Sequence, residues 1–115
     1  MARVSFRITF DDSAAIGPGK VALLEHISEL GSISAAGREM EMSYRRAWTL
    51  VAELNTTFRA RLVRTQPGGP QGGGAKLTPL GRQVIHDYRA LEAVLHRRGR
   101  SHIESLEGAA RRSRR

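Results

Sequence analysis

The stretch GSISAAGREMEMSYRRAWTLVAELN, residues 31–55, constrains the fold more than any other part of the chain. Ser32 or Ser34 can cap a short helix in which Ile33, Ala36, Gly37 and Met40 recur at i, i+3, i+4 and i+7, one apolar stripe. Ala36 and Gly37 are small enough to let a second helix cross closely. Glu41 and Met42 leave room only for a tight corner, and Ser43 is placed to cap another helix running from Tyr44 to about Asn55. Two helices joined by so short a turn form a helix-turn-helix.

On the second of these helices Tyr44, Ala47, Trp48, Val51 and Leu54 fall on one side, and Arg45, Arg46, Thr49 and Glu53 on the other. The first set, Tyr44 and Trp48 included, is expected to anchor the core. The second is basic at the N-terminal end, the end that a recognition helix pushes into the major groove, where Arg grips guanine O6 and N7 with two hydrogen bonds.

The charge balance agrees with a nucleic-acid partner. Nineteen Lys and Arg oppose 11 Asp and Glu, a formal +8 on 115 residues, and an excess of that size points to an acidic polymer. The length is that of one domain. There is no cysteine, which excludes disulfides and thiolate metal sites and fits a reducing cytosol. No apolar run approaches the roughly 20 residues of a membrane span, and MARVSFRITF lacks a signal peptide's apolar core. The expectation is a cytoplasmic protein that does not meet a membrane.

The glycine-rich stretch QPGGPQGGGAK, residues 66–76, raises the question of a nucleotide loop. Three features oppose it. Ala75 intervenes between Gly74 and Lys76, Leu77 stands where a Mg²⁺-binding hydroxyl belongs, and the stretch joins two strand signals, Leu62–Thr65 and Ala75–Thr78, rather than a strand and a helix. A long hairpin directly after a helix-turn-helix is a wing. A glycine-rich tip can approach a DNA backbone or minor groove closely, with Arg64 and Lys76 at its base as phosphate contacts.

Upstream, Val4, Phe6, Ile8 and Phe10 alternate as in a strand that Asp11, Asp12 and Ser13 end. After Gly17-Pro18-Gly19, Val21, Leu23, Leu24, Ile27 and Leu30 follow helical spacing to Gly31. Downstream, Thr78-Pro79 starts a helix with Leu80, Val84, Tyr88, Leu91 and Leu95 in a seam close to a coiled coil's, read as a dimerisation helix. The fold expected is mainly α with a small β-sheet: a winged helix-turn-helix over residues 1–78, a dimerisation helix over 79–98, and a basic, disordered tail over 99–115, which carries seven Arg with its approach from residue 97, against Glu104 and Glu107.

Other chemistry is poorly supplied. Asp11 and Asp12 stand at a strand end without a nucleophile or base to serve, so no enzyme and no cofactor are expected. Of His26, His86, His96 and His102, no two have i, i+4 spacing, and no metal site is expected. A winged-helix adaptor for another protein, with the basic face incidental, is the competing reading.

LLEHI (23–27), GSISAAG (31–37), SYRRAW (43–48), ELN (53–55), GGPQGGGA (68–75) and LTPLG (77–81), taken in order, resemble the N-terminal DNA-binding domain of ModE-type molybdate-responsive transcription regulators, a LysR-like branch of the winged helix-turn-helix group. The resemblance covers about Gly17 to Leu95. It implies a bacterial transcription regulator, a homodimer that sets its recognition helices in successive major grooves of a palindromic operator in double-stranded DNA. The positions it marks as DNA-contacting include Ser43, Arg45, Arg46 and Thr49; Ser34, Tyr44, Arg64 and Lys76 complete the expected contact set. Regulators that sense molybdate do so through further C-terminal domains, and the expectation is a form without them, with an unknown effector.

Overall fold

The computed structural model describes residues 2–69 and 72–111. Strands β1 (Ile8–Asp11) and β2 (Ala14–Ile16) form an antiparallel hairpin; helices α1 (Pro18–Leu30), α2 (Ile33–Glu39) and α3 (Tyr44–Thr57) follow. A second antiparallel hairpin, β3 (Val63–Gly69) and β4 (Gly72–Leu77), leads into α4 (Pro79–Arg98) and α5 (Arg100–Ala109). This is the mainly helical winged architecture that the sequence implies. Pro70 and Gln71, at the tip of the glycine-rich stretch, lie outside the described residues, as do Arg112, Arg114 and Arg115 of the basic tail.

The core is one cluster. Val21, Leu23, Leu24 and Ile27 of α1 are completely buried and meet Ile33 and Ala36 of α2, Ala47, Val51 and Leu54 of α3, and Leu62, Val63, Ala75 and Leu77 of the second hairpin. Gly31 ends α1 in the left-handed conformation, φ 71°, its N–H donating to the Ile27 carbonyl, as its place in the sequence implies. The second hairpin is clamped at its base. Asn55 Oδ1 accepts from the N–H of Leu62 (2.8 Å) and Val63 (3.1 Å), while Nδ2 donates to the Val63 carbonyl (3.2 Å). Thr78 caps α4 by accepting from Gly81 N, and its hydroxyl donates to the Arg61 carbonyl. Gly81 is obligatory there, because a Cβ would run into the Leu62 backbone.

Three expectations are corrected. The first strand begins at Ile8 rather than Val4, and Asp11 belongs to it; Ser13 N–H donates to Asp11 Oδ1 (2.9 Å), turning the chain into β2, which the alternation did not reveal. Residues upstream of Ile8 instead strap α4. The Phe6 ring stacks on Tyr88 (4.4 Å), the Tyr88 hydroxyl donates to the Phe6 carbonyl (2.6 Å), and Val4 N–H donates to His96 Nε2 (3.0 Å). Tyr88 is therefore only 3% exposed and spent inside its own domain, where the sequence had suggested a place in a dimerisation seam. Burial, with Glu92 nearby, pushes its hydroxyl pKa up.

The third concerns the tail, expected to be disordered from residue 99. Arg100–Ala109 is a helix, separated from α4 at Gly99, where a Cβ would lie 2.6 Å from the Leu95 carbonyl oxygen. Ile103 packs back toward the joint while Leu106 is 72% exposed. The arginine content hid this i, i+3 apolar pair. Among the described residues no helix is long and apolar enough to cross a membrane.

Candidate nucleic-acid interface

Helix α3 is positioned by capping and by one close crossing. Ser32 Oγ accepts from Ala35 N (3.1 Å) to start α2, and Ser43 Oγ accepts from Arg46 N (3.0 Å) to start α3. Between them Met42 N–H donates to the Gly37 carbonyl (3.0 Å), and Glu41 takes the left-handed conformation, φ 58°, at the corner. Gly37 faces Ala47 across the helices so closely that a Cβ at residue 37 would lie 2.9 Å from the Ala47 Cβ. The small residues noted in the sequence thus set the α2–α3 approach.

The buried arc of α3 is Ala47, Leu50, Val51 and Leu54. Its inclusion of Leu50 turns the helix away from the orientation expected from the sequence. At about 100° per residue, Trp48 then lies roughly 110° from the centre of the arc. Tyr44 is 64% exposed and Trp48 39%, their rings 6.0 Å apart, so neither anchors the core. Both instead wall a notch that Ser34 and Arg38 of α2 and Thr65 and Gln66 of β3 complete. The sequence reading passed over Arg38 and Gln66 and took Trp48 for a core residue; the spacing of Ser34 to Arg38 and Tyr44 to Trp48, both i, i+4, carried a signal of this shared face.

Arg45, Arg46 and Thr49 are exposed on the same helix, with Arg46 lining the cleft on the far side, beside Lys20 and Glu53. Glu53 is engaged by Lys20 at 3.2 Å. Among the described residues Arg38, Arg45 and Arg46 make no ion pair, so their charge faces solvent.

The second hairpin stands beside this surface, tied to the end of α1 by Ala75 N–H donating to the Gly31 carbonyl (2.9 Å). Arg64 and Lys76 are cross-strand partners and both exposed. The expected contact set therefore falls in two groups: Ser34, Ser43, Tyr44, Arg45, Arg46 and Thr49 around the start of α3, and Arg64 with Lys76 on the hairpin. Behind them α1 and α4 are joined by a two-pronged ion pair, Arg89 Nη2 to Glu25 Oε1 (2.7 Å) and Nε to Oε2 (3.0 Å). That hydrogen bonding holds the Glu25 carboxyl below its ordinary range and raises the Arg89 pKa. On α4, Leu80 and Val84 rest partly on the core, while Leu91 and Val94 are exposed.

Comparison with known proteins gives a consistent picture. The family description "Bacterial regulatory helix-turn-helix protein, lysR family" matches residues 19–82. The chain is 49% identical over 80 residues to the molybdenum-pterin-binding protein MopB of Rhodobacter capsulatus, covering 70% of this chain and 30% of that one. It is 38% identical over 92 residues to the molybdenum transport protein ModE of Azotobacter vinelandii, covering 80% and 33%. To the DNA-binding transcriptional dual regulator ModE of Escherichia coli (strain K12) it is 38% identical over 77 residues, covering 67% and 29%. The chain thus spans about a third of the length of these relatives. Among solved structures, a CbnR DBD–DNA complex matches with a TM-score of 0.55 at 21% identity, covering 80% of this chain and 97% of that one. Full-length CbnR with its target DNA matches with a TM-score of 0.54 at 18% identity, covering 72% and 27%. At these identities the two structures speak for the fold alone.

Proposed function

The chain belongs to the bacterial regulatory helix-turn-helix proteins of the lysR family, not to an enzyme family, and we propose that it binds double-stranded DNA sequence-specifically as a homodimeric transcription regulator. The start of α3 enters the major groove, Arg45 and Arg46 read base edges or phosphates there, and Ser34, Ser43, Tyr44 and Thr49 complete the contacts. The β3–β4 hairpin follows the backbone or the minor groove, with Arg64 and Lys76 on phosphates. The observation that carries this reading is the exposed N-terminal half of α3, whose two arginines meet no carboxylate among the described residues.

Two copies associate through the outer face of α4, where Leu91, Val94 and Leu95 extend beyond the part that covers the core, with Leu80 and Val84 as the seam's inner end. A two-fold dimer requires a palindromic operator. The names of the relatives support molybdenum metabolism or transport as the regulated process. The test is the affinity for DNA across a salt series. Affinity should fall steeply with salt, and Arg45→Ala/Arg46→Ala should lose the preference for one sequence, each two-bond grip on a base being worth about 1–3 kcal/mol. Affinity indifferent to salt and sequence would refute the reading.

A further inference from the structure

Four cations gather around one concavity of about 750 Å³ at the base of the second hairpin, none of them placed by the reading helix: Arg61 from the segment after α3, Arg64 and Lys76 from the two strands, and Arg82 from the first turn of α4. Each is exposed, and among the described residues none makes an ion pair. Among the described residues no acidic side chain lines this concavity, whereas the cleft beside α1 contains Glu53 and the groove along α4 contains Asp87.

Three of the placements are electrostatically adverse on their own. Arg64 and Lys76 are directly opposed in the strand register, where like charges repel. Arg82 stands at the N-terminal end of α4, which carries no acid in its first turn, so a cation meets the positive end of the helix dipole. Its guanidinium is nonetheless fixed there, Nη1 donating to the Leu77 carbonyl at 3.2 Å. Uncompensated repulsion among groups from four segments is relieved by a multiply charged anion, and planar guanidinium forks suit phosphate oxygens.

We infer that this concavity binds phosphate, with Arg61 and Arg82 gripping it alongside Arg64 and Lys76. The phosphate comes from a DNA backbone running past the hairpin or from a free phosphorylated molecule; the former arm rests on the DNA-binding function proposed above, the latter does not. The experiment uses the full chain and the variant Arg61→Gln/Arg82→Gln, with Arg61→Gln alone as a second variant that leaves the Leu77 hydrogen bond in place. Two readouts are taken: the slope of log affinity against log salt for a short random-sequence duplex, and calorimetric titration with pyrophosphate.

If the backbone is the ligand, the salt slope shrinks by about 0.9 for each cation that no longer meets a phosphate, about 1.8 for the double variant. If a free phosphate compound is the ligand, the slope is unchanged but pyrophosphate binds the wild type and not the double variant. Wild type and variants alike in both readouts would overturn the inference. Should the wild type not bind DNA at all, the function proposed above fails, and the pyrophosphate titration alone decides the site.

Discussion

The approach of α2 and α3 depends on one missing methyl group, and its consequence is quantitative. In Gly37→Ala the new Cβ would stand 2.9 Å from the Ala47 Cβ, where carbon atoms in contact prefer about 3.5–4.0 Å. Relieving that overlap costs about 2 kcal/mol, within the usual range for overpacking. Alanine gains back about 1 kcal/mol of helix propensity over glycine, so the variant should be less stable by about 1 kcal/mol. Ala47→Gly loses the same propensity and a buried methyl, about 1–2 kcal/mol together. Combined, the two substitutions move the methyl from one helix to the other, the overlap disappears and the propensities cancel. The double variant should lie within about 1 kcal/mol of wild type, well above the sum of the singles. Urea unfolding of all four proteins measures the cycle. Additive losses, or a stabilised Gly37→Ala, would show that the crossing is not set by this contact.

Three further predictions concern what holds the fold together. Asn55→Ala leaves the N–H groups of Leu62 and Val63 without their acceptor at the start of β3, and should cost about 2–4 kcal/mol in denaturant unfolding, since each polar group left unsatisfied costs about 1–3 kcal/mol. Tyr88→Phe keeps the stack on Phe6 but loses the hydroxyl bond to its carbonyl; a loss of about 1 kcal/mol with no change in the association state measured by sedimentation is expected. Glu25→Gln should cost about 0.5–1 kcal/mol near neutral pH, modest because both partners are more than a third exposed. The Glu25 pKa is lowered in the fold, so the ion pair's contribution is present above the ordinary 4.5 and lost as pH falls through the lower folded value. Unfolding curves of wild type and Glu25→Gln should therefore converge as pH falls below 4.5 and the Glu25 carboxyl protonates in the folded protein.

The parts of this fold that local chemistry dictates were readable in the sequence. Gly31, Ser32, Ser43 and Thr78 stop or start helices through their own backbone or hydroxyl groups, and the structure uses each of them so. The errors arise where tertiary context decides. Tyr44 and Trp48 share a helical phase with core residues, yet burial of Leu50 turns them outward. Tyr88 fits a dimer seam by spacing, but the N-terminal strap claims it. Arg61 and Arg82 meet Arg64 and Lys76 only when the hairpin folds back on the start of α4, and no spacing along the chain announces that.

The most direct test of the central claim is selection of bound sequences from a random double-stranded DNA pool at near-physiological salt, run in parallel with the wild type and with Arg45→Ala/Arg46→Ala. The account predicts a palindromic motif with half-sites about one helical turn apart, recovered by the wild type and lost in the variant. Enrichment of no sequence, or of the same motif by both proteins, would contradict it.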